Sequence, residues 1–105
     1  MFIIPAIDIL DARAVRLYKG DYKTADKVAD DILETALNFQ KKGAKWLHFV
    51  DLNGAKDGKV TNGKKIIEVS QSLGIKCQVG GGIRTMEDIE YYLEAGLDRV
   101  ILGTV

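Results

Sequence analysis

Gln78-Val79-Gly80-Gly81-Gly82-Ile83-Arg84 joins the end of an apolar run to a segment patterned like a helix start. The run extends from Ile75 to Val79, broken only by Lys76 and Gln78, and the helix start is Thr85-Met86-Glu87-Asp88. Glycine has no Cβ and reaches positive φ without strain, so its backbone can come close to a ligand. Amides aimed at one point beside a helix N-terminus favour an anion. The stretch reads as a phosphate-binding loop at the carboxyl end of a parallel strand. The plain alternative is a turn between strand and helix with no ligand. The spacing fits neither the dinucleotide fingerprint nor the P-loop, because no second Gly pair and no Gly-Lys-Ser/Thr follows.

Working outward, Thr85 with Asp88 three residues later predicts a capping box. It opens a helix to about Ala95, with Met86, Ile89, Tyr92 and Leu93 as its apolar stripe and Gly96 as its stop. Arg99 to Leu102 reads as the last strand and leads to Gly103-Thr104-Val105. Upstream, a helix from about Asn62 to Ser72 turns Ile66, Ile67, Val69 and Leu73 inward and stops at Gly74. Before it come the strand Trp46 to Val50, ending at Asp51, and a turn-rich loop, Asn53 to Gly58. A helix begun by Asp30 or Asp31 carries Ile32, Leu33, Ala36, Leu37 and Phe39 to Gly43, with Lys41 and Lys42 against the negative end of its dipole. Phe2 to Ile7 reads as a first strand covered on both faces and ending at Asp8, with Pro5 at an edge or irregular position. Residues from Ile9 to about Asp26 read as a long loop with room for a small extended piece at Ala14 to Leu17.

The predicted fold class is α/β, in the order β-α-β-α-β-α-β with right-handed crossovers and a parallel sheet. Residues 1–105 are expected to form one domain of four strands and three crossover helices. The 105 residues fall well short of the roughly 250 of a complete (β/α)8 barrel. Fifteen basic and fifteen acidic residues cancel, which argues against nucleic acid or an acidic membrane as partner. The single cysteine, Cys77, lies in an apolar run and reads as a buried, inert thiol. No stretch reaches the ~18 apolar residues of a membrane span, and Met1 to Pro5 lacks the basic start of a signal peptide, so the expected location is cytoplasmic.

In parallel α/β folds the ligand sits beyond the carboxyl ends of the strands. On this reading Asp8, Asp51, Gly80-Gly81-Gly82 and Gly103-Thr104 gather at one end. An aspartate ending a strand is by itself commonly a cap or turn former. Two of them beside two small-residue anion loops point to a phosphorylated metabolite. His48 has two readings, a packed core histidine or a substrate contact. Two aspartates and a histidine also admit a metal, but their long separations and the lack of a local ligand pair argue against one. Arg16 and Arg84 are surface charges by default, although Arg84 directly follows the glycines, where a guanidinium can supplement amides on a phosphate.

Six segments together resemble a known family: Pro5-Ala6-Ile7-Asp8, Val15-Arg16-Leu17, Gly20-Asp21-Tyr22, Trp46 to Ala55, Gln78 to Arg84 and Arg99 to Thr104. They look like the N-terminal half of the histidine-biosynthesis isomerases, which act on phosphoribosylformimino-5-aminoimidazole carboxamide ribotide. The sister family, the cyclase subunit of imidazole glycerol phosphate synthase, shares the strand-ending aspartate and the Val-Gly-Gly-Gly-Ile-Arg loop. It usually has a cysteine in the first strand and lacks the Asp-Leu-Asn/Asp-Gly-Ala segment, so Ala6 and residues 51–55 favour the isomerase. The resemblance implies half of a (β/α)8 barrel and a substrate with a phosphate at each end. It also implies an Amadori rearrangement of an aminoaldose to an aminoketose without cofactor or metal. It makes Asp8 the general base, assigns Gly81, Gly82, Gly103 and Thr104 to one phosphate site, and puts Arg16, His48 and Arg84 near the substrate.

The chain departs from that pattern in ways that matter. The family's general acid ends the fifth strand and its second phosphate site lies in the other half, so these residues alone are expected not to isomerise. The alternatives are a phosphate-binding half-barrel without catalysis and half of the related cyclase subunit. Asp11-Ala12-Arg13 stands where many members have Asp-Gly-Lys or Asp-Gly-Arg, and alanine resists positive φ, so a different turn is expected there. Four parallel strands also leave open edges and an uncovered inner wall. The expected partner is therefore the missing C-terminal half or a second copy, with rearrangement to an open sheet carrying helices on both faces as another outcome.

Overall fold

A computed structural model describes residues 4–18, 21–29 and 31–102, with side chains for 4–15 and 31–102. The strands are β1 (Ala6–Leu10), β2 (Arg13–Tyr18), β3 (Asp21–Ala29), β4 (Trp46–Asp51), β5 (Lys76–Gly80) and β6 (Arg99–Ile101). The helices are α1 (Ile32–Lys41), α2 (Leu52–Asp57), α3 (Gly63–Gln71) and α4 (Met86–Glu94). The six strands form one sheet in the order β3-β2-β1-β4-β5-β6. Neighbours among β1, β4, β5 and β6 are parallel and joined through helices, as the alternating pattern predicts. Space order and chain order coincide along these four, so every crossover steps the same way, as in half of a (β/α)8 barrel.

Such winding puts the crossover helices on one face. Ile7, Ile9, Leu47, Phe49, Cys77 and Val79 form one buried cluster with Ile32 and Ala36 of α1, Ile66 and Val69 of α3, and Tyr92 of α4. The intervening residues Asp8, His48 and Val50 are only half-buried. β1 and β4 are therefore covered on one face, not two, whereas Gln78 and Gly80 of β5 are buried on the other face as well. Ile7 and Ile9 flank Asp8 by strand alternation, which an unbroken apolar reading obscures. Burying a side chain such as Phe49 or Ile9 fully contributes about 1.5–3 kcal/mol. Cys77 lies in this core, where burial, aided by the Asp98 carboxylate, pushes its thiol up to about 11.

Local chemistry sets the helix ends. Asp31 caps α1 by accepting from Glu34 N at 3.2 Å. Thr85 and Asp88 form the expected capping box on α4: Thr85 Oγ1 accepts from Asp88 N at 3.1 Å, and Asp88 Oδ2 accepts from Thr85 N at 3.2 Å. Of the stripe predicted for α4, Tyr92 is buried, but Met86 and Leu93 are 67% and 45% exposed, so half of that stripe faces outward.

Two expectations are corrected. The long loop after the first strand is an antiparallel hairpin, β2–β3, paired to the outer side of β1, so the unit has six strands where four were expected. The turn from β1 into β2 pairs Leu10 with Arg13 across Asp11 and Ala12, whose φ values of 52° and 62° are those of a two-residue hairpin turn. Ala12 thus adopts the positive φ it was expected to resist. Hydrogen bonds from Asp11 N to Asn53 Oδ1 (2.7 Å) and from Ala12 N to Asn62 Oδ1 (3.2 Å) hold it there. The second correction concerns Asn53 to Gly58. The turn-rich loop is mostly the short helix α2, closed by Gly58 in the left-handed conformation, φ 73°.

Candidate functional site

The face of the sheet away from the helices carries the polar strand residues, and strand register lines them up in rows. Trp46 sits beside Lys76 in the lowest row. The middle row is Ala6, His48, Gln78 and Arg99, and the upper row, nearer the carboxyl ends, is Asp8, Val50, Gly80 and Ile101. Asp8 therefore lies mid-strand, not at the strand end expected for it, because β1 continues through Ile9 to Leu10. The two residues of interest, Asp8 and His48, lie on adjacent strands one row apart.

Their electrostatics are linked. Burial raises the pKa of Asp8 above the ordinary carboxylate value, and His48 partly offsets this. Burial lowers the pKa of His48, Asp8 opposes the shift and Arg99 adds to it. Among the described residues, none donates a hydrogen bond to the Asp8 carboxylate. Gln78 Nε2 lies 3.0 Å from His48 Nδ1, and Arg99 donates to Gln78 Oε1 from Nε at 2.9 Å and from Nη2 at 2.6 Å. The Arg99 guanidinium also stacks 4.5 Å from the centre of the Trp46 ring.

Above these rows opens a cavity of about 470 Å³, lined by His48, Val50, Ala55, Gly58, residues 80–84 and Ile101. Gly81 (φ 107°) and Gly82 (φ 76°) turn the chain across its mouth. A Cβ on Gly81 would stand 2.3 Å from Asp51 O, and one on Gly82 would stand 2.6 Å from Lys59 O. Both glycines are thus required by the close approach of neighbouring backbone, whatever the cavity binds. The Arg84 guanidinium lies along Gly58, whose added Cβ would meet its Cζ at 2.9 Å. The N-terminus of α4 is occupied by its own Asp88, which accepts from Arg84 N at 3.0 Å and from Thr85 N; these bonds hold its carboxyl below the ordinary range. Asp8 does not line this cavity. It borders a smaller hollow with Ala14, Thr35 and Phe39.

Asp51 has a different place from the one expected. It shares the covered face with Leu47 and Phe49, is fully buried, and receives four hydrogen bonds: Gly54 N (2.9 Å), Thr61 N (2.8 Å), Asn62 N (2.8 Å) and Asn62 Nδ2 (2.7 Å). Asn62 also donates to Asn53, which bonds Asp11 in the hairpin turn. This web ties β4, α2, α3 and the hairpin together. Its aspartate is the structural N-cap of α2, and protein groups supply all four of these donors. Among the described residues no group of three His, Cys, Asp or Glu is placed to hold a metal ion.

Of the predicted site residues, His48, Gly81, Gly82 and Arg84 line one cavity, with Asp8 beside it on the open face. Arg16 lies in β2 opposite Asp26, with its side chain outside the described set, and Gly103 and Thr104 lie outside the described residues. Gln78 and Arg99 were not singled out from sequence. Their signal is a polar residue interrupting an apolar strand at the level of His48.

Comparison with known proteins is consistent with the half-barrel. The family model described as "Histidine biosynthesis protein" matches residues 2–105. The chain belongs to this histidine biosynthesis family. It is 51% identical over all of its 105 residues to a 1-(5-phosphoribosyl)-5-((5-phosphoribosylamino)methylideneamino)imidazole-4-carboxamide isomerase from Clostridium beijerinckii, covering 44% of that protein. To proteins of the same name it is 49% identical over 105 residues in Streptococcus thermophilus, again 44% of the relative, and 46% identical over 102 residues in Bacillus subtilis, 42% of the relative. The chain spans less than half the length of the curated relatives it matches. No helix among the described residues is long and apolar enough to cross a membrane.

Proposed function

We propose that residues 1–105 are the N-terminal half of an aldose–ketose isomerase of histidine biosynthesis. In this reading Asp8 is the base that takes the C2 proton of a phosphoribosyl-derived aminoaldose. The observation that carries it is the position of Asp8: a half-buried carboxylate on the open face, one row from His48, with its pKa raised. A carboxylate whose pKa is raised by burial holds protons better, which suits a general base. Gly81 and Gly82, with Gly103, Thr104 and Arg84, would hold one phosphate, and Arg16 and His48 would contact the sugar chain. Anchoring the phosphate positions C2 against the base, where orientation itself lowers the barrier. The names of the relatives, each an isomerase of a doubly phosphoribosylated carboxamide, support this substrate class.

A second reading is a phosphate-binding half-barrel without catalysis. It is favoured by the cavity, which takes in the glycine loop and Arg84 but not Asp8. Both readings need the open face covered, by a C-terminal half or a second copy. Ile101 and Leu102, 39% and 57% exposed, offer apolar surface at the β6 edge for that purpose.

The test is an isomerase assay of the chain alone, of the chain with a C-terminal half added, and of the completed pair carrying Asp8→Asn. The chain alone should be inactive and the completed pair active. Asp8→Asn should cut turnover by roughly 10²- to 10⁴-fold with phosphate binding retained. Turnover by the isolated chain at the completed rate would overturn the half-site reading, and an active Asp8→Asn pair would overturn the assignment of the base.

A further inference from the structure

The middle row of the open face contains two side chains with no role so far, Gln78 and Arg99. An amide can present its oxygen or its NH2 to a neighbour, and the surrounding bonds decide which. Arg99 has only donors to offer, and two of them converge on one Gln78 atom, at 2.9 and 2.6 Å, so that atom is the carbonyl oxygen. The Gln78 NH2 is thereby turned toward β4, 3.0 Å from His48 Nδ1. A ring nitrogen that accepts from NH2 carries no proton, and in a neutral imidazole the proton then sits on Nε2.

We infer that Arg99, acting through Gln78, is a positioning residue that fixes His48 as the neutral Nε2–H tautomer, so that the ring serves the cavity as a hydrogen-bond donor and not as a base or a cation. Arg99 is itself held by the Trp46 ring beneath it. His48 Cε1 faces Gly80, 3.6 Å from where a Cβ would stand, and among the described residues the only hydrogen bond of the ring is at Nδ1. Among the described residues, the charged groups that act on the ring are Asp8 from β1 and Arg99 from β6, and β5 presents the uncharged Gln78. The tautomer has a consequence for Asp8. An imidazolium one row away would draw down the proton affinity of the carboxylate, whereas a neutral donor leaves it basic while still bonding a substrate oxygen. That consequence rests on the proposed sugar-phosphate site; the tautomer does not.

His48 is the one histidine of the chain, so nitrogen-15 NMR of its imidazole reads the inference directly. The expected spectrum has Nδ1 unprotonated and Nε2 protonated, with the ring titrating below an ordinary histidine. Gln78→Glu, the same shape but with acceptors only, should move the proton to Nδ1 and raise the ring's pKa. Arg99→Met, which keeps an apolar stem on Trp46, should release the amide and give a mixture of tautomers. An Nδ1–H ring in the unsubstituted chain overturns the inference, as does an Nε2–H ring unchanged by both substitutions. The unsubstituted spectrum decides the tautomer even if a variant fails to fold. Added ribose 5-phosphate separates the two claims: a shifted Nε2 resonance supports the site, and an unmoved one with the Nε2–H tautomer removes the site and leaves the Arg99–Gln78 relay standing.

Discussion

Asp8 and Asp51 lie on neighbouring parallel strands and face opposite sides of one sheet, and the two sides treat a carboxylate in opposite ways. On the helix side Asp51 is fully buried and receives four hydrogen bonds, so its charge organises the fold. On the open side Asp8 is half-buried and, among the described residues, receives none, and burial raises its pKa, so its charge is costly there. The same side chain is a fastening in one setting and, under the function proposed above, a base in the other. Hydrogen-bond supply separates the two more sharply than burial does.

Substitutions can break that contrast, beginning with the largest effect. Asp51→Ala leaves three backbone amides and the Asn62 side chain without their acceptor inside the protein, and should cost about 3 kcal/mol or more, or prevent folding. Urea denaturation measures it, and a loss near zero would mean the web is dispensable. Gly81→Ala combines a φ of 107° with a Cβ pressed on Asp51 O, and should cost about 2–3 kcal/mol in the same measurement whether or not a phosphate is present. A variant as stable as the parent would return the glycine to a purely ligand-binding role.

Asp8→Asn should act in the other direction. A carboxyl whose pKa is raised on folding contributes stability that is fully present below the unfolded value of about 3.8 and is lost as pH rises through the folded value. The Asn variant lacks that loss, so its melting temperature relative to the parent should climb from acid to neutral pH. A flat difference would contradict the raised pKa. The smallest expected effect is at the hairpin. Ala12→Gly relieves a left-handed alanine at φ 62° and should add about 0.5–1 kcal/mol, visible as a small rise in melting temperature.

The parallel core, the capping box on α4 and the glycine loop were legible in the sequence because each rests on local chemistry. The hairpin was legible only in part: the extended piece at Ala14 to Leu17 falls within β2, but β3 was read as loop. The turn that leads into it from β1, Asp11-Ala12, lacks the glycine that normally announces positive φ, and the bonds that compensate come from Asn53 and Asn62, some fifty residues on in the case of Asn62. The two aspartates were grouped because each follows an apolar run. Parity would have separated them: Asp8 stands between Ile7 and Ile9 and must face away from them, whereas Asp51 is two residues past Phe49 and shares its side. Gln78 and Arg99 escaped notice because their importance comes from strand register, which pairs residues far apart in sequence.

The unlike chemistry of the two faces also guards alignment. Sliding β4 or β5 by one residue would drive His48 or Gln78 into the apolar cluster and push Phe49 or Val79 out of it, an error penalised at every position along the strand. Sliding by two keeps the faces but parts His48 from Gln78 and Gln78 from Arg99. The polar row thus proofreads what the greasy side cannot distinguish, and this chain settles on one alignment of its strands because both slips are costly.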